Sequence, residues 1–537
     1  MENLAAQPFG YGSYFWRTLP SGMTPLKPPL PSARIGVQFR DIFRPVSLVS
    51  PNKKGNTMSK KSSRRQFLKT SGALAAGTAL ASGLTLSQSV HAQGSDQIKI
   101  ALIGFGGRGS GAIRDRAQVG DNYKIVAIAD VSEGTARREA GTLRNEAQDA
   151  DNSLHNKIDV PNDRVFGGFD AYKKAIACLN PGDQVVIATP PGFRPYHYRA
   201  AIEKGCHVFM EKPIFIDAPG FRHVMATNKM AEERNLKVCV GLQRRYEPQY
   251  YKWIEQIHAG KIGDVQYTRV FWNGGTPWTH KRNAGESELR YQMRNWYHFV
   301  WLCGDNICEQ HCHNIDIGNW IHGKGDRLAH PVEANAQGGR TFRAGPDDIM
   351  RQAPPFADRA AWDEWYQKNQ GVFNRHGQAW DHFFVEYSYA DGSKMFSQCR
   401  HIPNTWQHVQ EYVYGTKGSG QPGLLQGLDN KDVWKITDKV PKGPYQWEHD
   451  KHVEAIRKDL PLHDGFSAAM SCMSSVLGRE AAYSGQVVKW DELVEKGRSY
   501  TPNGEITSYD DIAPVQPDAD GFYESTVPVP GQYNPFA

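Results

Sequence analysis

No uninterrupted apolar run of about 20 residues, the length a helix needs to span a bilayer, occurs in the 537-residue chain. A stable membrane anchor is therefore not expected. Cysteine is scarce, with eight residues in all, and no two stand in the C-x-x-C spacing typical of structural zinc. The body of the chain also lacks a basic surplus. The formal charge of +6 comes from residues 1–92, where twelve Lys/Arg face two Asp/Glu. The remainder holds 51 basic and 55 acidic residues, which leaves no electrostatic footprint for nucleic acid. At 39% apolar and 11% aromatic the composition is that of a folded protein, and the length allows two or three domains.

The basic residues at the start have a purpose. Residues 63–69 read SRRQFLK, with Arg64 and Arg65 paired, and the soft apolar stretch TSGALAAGTALASGLTLSQSV leads to VHA at 90–92. A charged start, an apolar middle and a small-x-small cleavage site make an export signal. The paired arginines place it in the twin-arginine (Tat) class, whose machinery carries folded cargo. We expect residues 58–92 to be the signal peptide and the Tat machinery to be a partner. The mature, periplasmic or exported protein would then begin near Gln93. Met58 stands where such signals start, and the Pro-rich, aperiodic residues 1–57 read as a non-native or disordered extension. Cargo folded in the reducing cytoplasm keeps free thiols, so the cysteines should be buried and mostly unpaired.

Directly after the cleavage site, QIKIALIGFGGRGSGAIRDRA gives a short apolar strand, the turn Gly104, Phe105, Gly106, Gly107, Arg108, Gly109, and a helical pattern. G-x-G-x-x-G between strand and helix is a dinucleotide-binding signature. The glycines permit a tight turn and close backbone approach, and the pyrophosphate meets the positive helix N-terminus. A second strand, KIVAIAD, ends at Asp130, placed to accept hydrogen bonds from the adenosine ribose, so NAD is favoured over NADP. Arg137 and Arg138 nearby leave NADP open. DQVVIATPP (183–191) reads as a parallel strand buried on both faces, with Thr189 and Pro190 in a cofactor loop at its carboxyl end. A further strand, 206–210, runs into Glu211, Lys212 and Pro213, where Glu211 and Lys212 are expected beside the cofactor.

DVQYTRVFW (264–272), FFVEYSYADGSKMFSQCRH (383–401) and HVQEYVYG (408–415) are alternating or aromatic-rich strands, with Asp391-Gly392 a hairpin turn. Residues 341–380 lack any period and read as an insertion near the site. CEQHCHNIDIGNW (308–320) concentrates polar groups. On a single helix Glu309, His313, Asp316 and Trp320 fall at i, i+4, i+7 and i+11, which is one face. Cys308 and Cys312 share an adjacent face, while His311 and Cys303 point elsewhere, so no metal site is assigned. Arg244, Arg245 and Tyr246 follow the strand KVCVGLQ and either face the substrate or support the domain junction. Trp272, Trp278, Trp296 and Tyr297 offer surface for the apolar face of a sugar, or for core packing.

Through GFGGRG, Asp130, ATPP followed by His197, GCHVFMEKP, GLQRRY (241–246), EQHCHNIDIGNW, EYVYGTKGSG (411–420) and MSSVLGREAAYSGQVVKWDEL (473–493), residues 97–495 resemble the glucose-fructose oxidoreductase / inositol dehydrogenase / rhizopine-catabolism (Gfo/Idh/MocA) family. The resemblance implies an α/β fold. A Rossmann NAD-binding domain (93–215) would precede a C-terminal α+β domain (216–500) with a large, mostly antiparallel open sheet, followed by a tail (501–537). It implies oxidation of a hydroxyl on a sugar, cyclitol or glycoside by hydride transfer to NAD. Lys212 and His313 would handle the proton, and Asp316 would sit near the substrate or hold its helix. Glu309 stands where the family usually has Asp; it would orient His313 or touch the substrate, and the added methylene leaves that role open. Pairing of subunits through the open sheet is also implied, hence a homo-oligomer. Two alternatives remain at this point. One is a glycoside-cleaving enzyme that recycles tightly held NAD within each turnover, unlike the two-carboxylate hydrolases. The other is a non-catalytic sugar-binding protein on the same scaffold.

Overall fold

The computed structural model describes residues 97–537, except 121, 281–282, 284, 342–357, 359, 362–363, 366–367, 369–376, 438–441, 503–505 and 520–522. The export signal and most of the expected insertion at 341–380 lie outside the described residues.

Six short strands form the first sheet: β1 Ile98–Ile103, β2 Tyr123–Asp130, β3 Val165–Gly167, β4 Gln184–Ile187, β5 His207–Met210 and β6 Val238–Val240. Their order is β3-β2-β1-β4-β5-β6, parallel at every pairing. Helices cover both faces, so β4 and β5 are buried at every position, which explains their unbroken apolar sequences. The order reverses between β1 and β4, and that reversal opens a crevice at the carboxyl ends of the strands. Helix α1 (Gly107–Ala117) begins at this crevice. The expected domain boundary at residue 215 falls inside the sheet. The chain leaves through helix Ala218–Glu233 and returns as β6, parallel to β5. A strand of three residues carries too little pattern to claim it for the first domain in advance.

The second sheet has nine strands: β7 Val265–Gly274, β8 Glu333–Gly339, β9 His382–Ser388, β10 Lys394–His401, β11 His408–Gly415, β12 Gly418–Gln421, β13 Leu424–Gly427, β14 Asp432–Lys435 and β15 Val488–Lys489. They run in the order β14-β13-β12-β11-β7-β10-β9-β8-β15, antiparallel except where β7 meets β10. Alternation in sequence becomes alternation in burial: Phe383, Val385 and Tyr387 of β9, and Met395, Ser397 and Cys399 of β10, face inward.

Helices α2 (Cys312–Gly323), α3 (Pro444–Lys458) and α4 (Gly465–Ser484) join the two sheets. Small residues dominate α4, so it packs closely on all sides; every residue but Ser467 is buried. It lies against β8, β9, α2 and helix Ala218–Glu233, while α3 packs on α1 and β6. A single apolar cluster therefore runs from Val185 and Met210 through Leu477 of α4 to Val385 and Met395. The crevice above it is held by a shared core rather than by a hinge between separate ones. As expected, all eight cysteines are free, and only Cys178 is partly exposed. Among the described residues no helix is long and apolar enough to cross a membrane.

Candidate active site

The crevice is a cavity of about 950 Å³, lined by the turn after β1, the carboxyl ends of β2, β4 and β5, and residues of the second domain. Two glycines of the turn are required by packing. Gly104 has φ +86°, and a Cβ there would lie 2.8 Å from the backbone N of Thr189; at Gly109 it would lie 2.0 Å from the carbonyl O of Gly104. Around Gly106 and Gly107 a Cβ would meet no atom within 4 Å, so the cradle at the start of α1 is clear. No side chain caps α1, which leaves its first amides available to an anion. Asp130 accepts hydrogen bonds from the N–H of Phe105 at 2.8 Å and of Ser132 at 2.9 Å, yet burial still pushes its carboxyl up. Arg137 pairs with Glu133 and Arg138 with Glu139.

The loops after β4 and β5 are tied together by Arg194, which donates to the carbonyls of Thr189 and Pro213. Thr189 Oγ1 lies 3.0 Å from His197 Nδ1, and burial, then Arg194, push His197 down to about 3. Pro190 lines the cavity beside them. Glu211 accepts from Arg108 Nε at 2.5 Å, and the Arg108 guanidinium sits 4.3 Å over the ring of Tyr445 in α3. Glu448 of α3 lies 3.6 Å from Arg108 Nη2.

Lys212 follows Glu211 and points at the second domain. Its Nζ donates to Glu309 Oε1 at 3.1 Å and to the Glu309 carbonyl, and Tyr297 OH donates to Glu309 Oε2. Burial, the largest influence, favours a neutral Lys212, but Glu309 and its other acidic neighbours, Glu211 among them, together outweigh it and the pKa rises. His313 lines the same cavity, its ring 5.8 Å from that of Trp272 and tilted by 22°. Its Nδ1 is buried with no hydrogen-bond partner among the described residues. Burial first, then the charges of Lys212 and Arg244, hold His313 well below the ordinary histidine range. The cavity thus pairs a cationic lysine with a neutral histidine.

The single helix expected over 309–320 is broken. Glu309 ends a short turn, Asn306–Glu309, and α2 starts at Cys312 after a step through Gln310 and His311. His311 stands at the N-cap of α2 and meets Ser397 Oγ at 2.7 Å, a contact that spacing alone does not register. Glu309 and His313 still reach the cavity, whereas Asp316 does not. Asp316 takes Arg245 Nε and Nη2 at 2.8 and 2.7 Å and Ser471 Oγ at 2.7 Å. Arg244 pairs with Glu411 of β11, which also accepts from Asn314 at 2.6 Å and Tyr250 OH at 3.1 Å. Tyr246 OH donates to Asp464. None of Arg244, Arg245, Tyr246 and Asp316 lines the cavity, and their bonds join segments of the domain junction. Trp272, Trp278, Trp296 and Tyr297 all do line it, with Trp278 edge-on to Trp296 at 5.7 Å and to Tyr297 at 5.1 Å. Tyr445, Glu448 and Tyr509 were not singled out from the sequence, because nothing local distinguishes them from ordinary helix and loop residues.

Residues 98–242 match the Gfo/Idh/MocA family model, described as an oxidoreductase family with an NAD-binding Rossmann fold. The chain carries a Gfo/Idh/MocA NAD-binding domain. The clear glycine cradle, the bare start of α1 and the Asp130 carboxylate at the end of β2 fit that cofactor. Residues 61–81 match the twin-arginine translocation signal, so the protein is exported to the periplasm by that route. Over 251 residues it is 26% identical to an inositol 2-dehydrogenase of Acidothermus cellulolyticus, covering 47% of this chain and 60% of that protein. Over 169 residues it is 26% identical to a glycosyl hydrolase family 109 protein of Streptomyces coelicolor, covering 31% of this chain and 32% of that one. The chain thus spans less than two thirds of the curated relatives it matches. The aldose-aldose oxidoreductase of Caulobacter crescentus, solved with glycerol, shares the fold at a TM-score of 0.51 and 15% identity. That likeness covers 73% of this chain and 99% of that one.

Proposed function

We propose that this exported protein oxidises a ring hydroxyl of a sugar, cyclitol or glycoside, with NAD as hydride acceptor. The observation that carries the reading is the buried Lys212–Glu309 pair beside a neutral His313, in the same cavity as the Gly104–Gly109 turn. Bound NAD supplies the site that takes the hydride from the carbinol carbon. His313, uncharged and lining the cavity, accepts the hydroxyl proton. Lys212 remains cationic and stabilises the oxygen as negative charge develops on it. Glu309, gripped by Lys212 on one oxygen and Tyr297 on the other, fixes the ammonium in place. Trp272, Trp278 and Trp296 give the ring an apolar face to rest on. The relationship to a protein named inositol 2-dehydrogenase favours a polyhydroxylated ring as substrate.

Assay of NAD reduction with cyclitols, aldoses and glycosides tests the reading. Lys212→Met and His313→Ala should slow reduction at least about a hundredfold while NAD binding persists; a sugar-binding protein would give no reduction in any form.

A second reading is favoured by the match to a glycosyl hydrolase family 109 protein, together with export to a compartment poor in free NAD. Oxidation of the ring would acidify a neighbouring C–H, an aglycone would leave by elimination, and the same hydride would return to the ring after water adds. Free aglycone without net NADH distinguishes this route from net oxidation, which forms NADH in proportion to product.

A further inference from the structure

The segment after Gly497 has only one short helical turn among its described residues, yet it is fastened along its length. Tyr500 N–H donates to Asp217 at 2.8 Å, Ser287 Oγ to the Tyr509 carbonyl at 2.6 Å, Gly531 N–H to the Ser484 carbonyl at 3.0 Å, and Tyr533 OH to Glu480 at 2.6 Å. Ala513 and Tyr523 are buried in a small apolar cluster with Leu289 and Phe299, and Phe169 and Phe193 of the first domain pack against it. Between these fixed points Tyr509 enters the wall of the cavity. Its ring stands edge-on to Phe169 at 5.3 Å, with the Arg290 guanidinium 5.2 Å from its centre.

This part of the wall adjoins Asp130, whose charge, after burial, helps push the Tyr509 hydroxyl up to about 12. Phe193 stacks on His197 at 6.2 Å, and His197 is uncharged. Flat, neutral rings beside a ribose-binding carboxylate are chemically suited to a heteroaromatic base.

We propose that Tyr509 is a cofactor-contacting residue, and that with Phe169 it walls the adenine end of the site so that the C-terminal segment keeps the dinucleotide from exchanging between turnovers. The proposal rests on the second reading above, in which the same hydride returns to the ring, so that the retained nucleotide ends each turnover as NAD. Its consequence reaches beyond that reading: protein exported folded would carry its nucleotide with it and need no external supply.

The test uses the mature full-length protein, loaded with NAD, passed through gel filtration and then mixed with isotopically labelled NAD. Wild-type protein should keep its nucleotide through the column. Tyr509→Ala should exchange it at least tenfold faster with an unchanged apo thermal midpoint, and Tyr509→Phe should behave as wild type. If Tyr509→Ala lowers that midpoint, Tyr509→Leu keeps most of the side-chain volume and should still exchange at least tenfold faster. Exchange in the alanine or leucine protein within twofold of wild type overturns the proposal, as does wild-type NAD that exchanges within seconds. Wild-type protein that binds neither NAD nor NADP brings down the dehydrogenase reading itself, a result distinct from free exchange.

Discussion

Lys212 and His313 share one cavity but are driven in opposite directions. A carboxylate beside the amine favours its cation, whereas burial and neighbouring positive charge favour the neutral imidazole. The proton-accepting form of His313 is thus the resting form. Because its pKa lies well below 6.5, the neutral base persists as the solution is acidified past the point where an ordinary histidine charges. We predict that the acidic limb of kcat/KM has its midpoint below pH 6.5; a midpoint at or above 6.5 would mean that another group is the base. His313→Ala should lower turnover by about 10²–10⁴-fold, with NAD content unchanged by mass spectrometry. Tyr297→Phe removes one of the two grips on Glu309 and should cost less than loss of His313. That Lys212 and His313 meet in one cavity was legible through the family resemblance, which Glu-Lys-Pro and the Glu309–His313 pattern carry. The Tyr297 contact was not, since its partner lies on a separate turn of chain.

At the scale of elements, the glycine turn and α2 show what pattern can and cannot convey. Strand, turn and helix were readable around Gly104–Gly109 because each glycine answers a local requirement. Those requirements separate on mutation. Gly109→Ala should destabilise the fold, because its Cβ would strike the Gly104 carbonyl, and the thermal midpoint of the apo protein should fall. Gly106→Val meets no protein atom at its Cβ and should leave that midpoint nearly unchanged while weakening NAD binding in titration calorimetry. The helix expected over 309–320 is interrupted at Gln310 and His311; spacing reports a face and not the contacts made across it, such as that of His311 with Ser397 of β10. Arg245 and Asp316 looked like site residues for a similar reason: charge in a motif does not reveal its partner. Their two-point pair is buried, so Arg245→Ala should cost about 3–5 kcal/mol of stability by stranding Asp316. NAD affinity in the surviving folded protein should not change.

At the scale of the molecule, the two sheets share one apolar core through α4, and β6 joins the first sheet beyond the boundary expected at 215; few residues mark where one sheet ends and the other begins. Such a body also buries many histidines. Among the described residues, burial pushes His197, His311 and His452 down to about 3 and His322 and His463 to about 4, and holds His313 and His449 well below 6.5. Below pH 6.5 the unfolded chain binds protons that the folded chain refuses, so stability is complete above that pH and falls as pH drops. Asp115, Asp130, Glu247, Glu411, Glu448 and Asp464 are pushed upward and act in the opposite sense, but they are fewer. The apo thermal midpoint should therefore be lower at pH 5 than at pH 7.5, and an equal or higher midpoint at pH 5 would show that the carboxylates dominate. The claim that unites the scales is that one cavity brings a ring hydroxyl, His313 and Lys212 to a nicotinamide. Its most direct test is absorbance at 340 nm when NAD-loaded mature protein meets a panel of cyclitols, aldoses and glycosides, followed in wild type, His313→Ala and Lys212→Met. The account predicts a rise, sustained or transient, with at least one class in wild type, and a rate at least about a hundredfold lower in either variant. A rise of equal rate in the variants, or none in wild type across the panel, would contradict it.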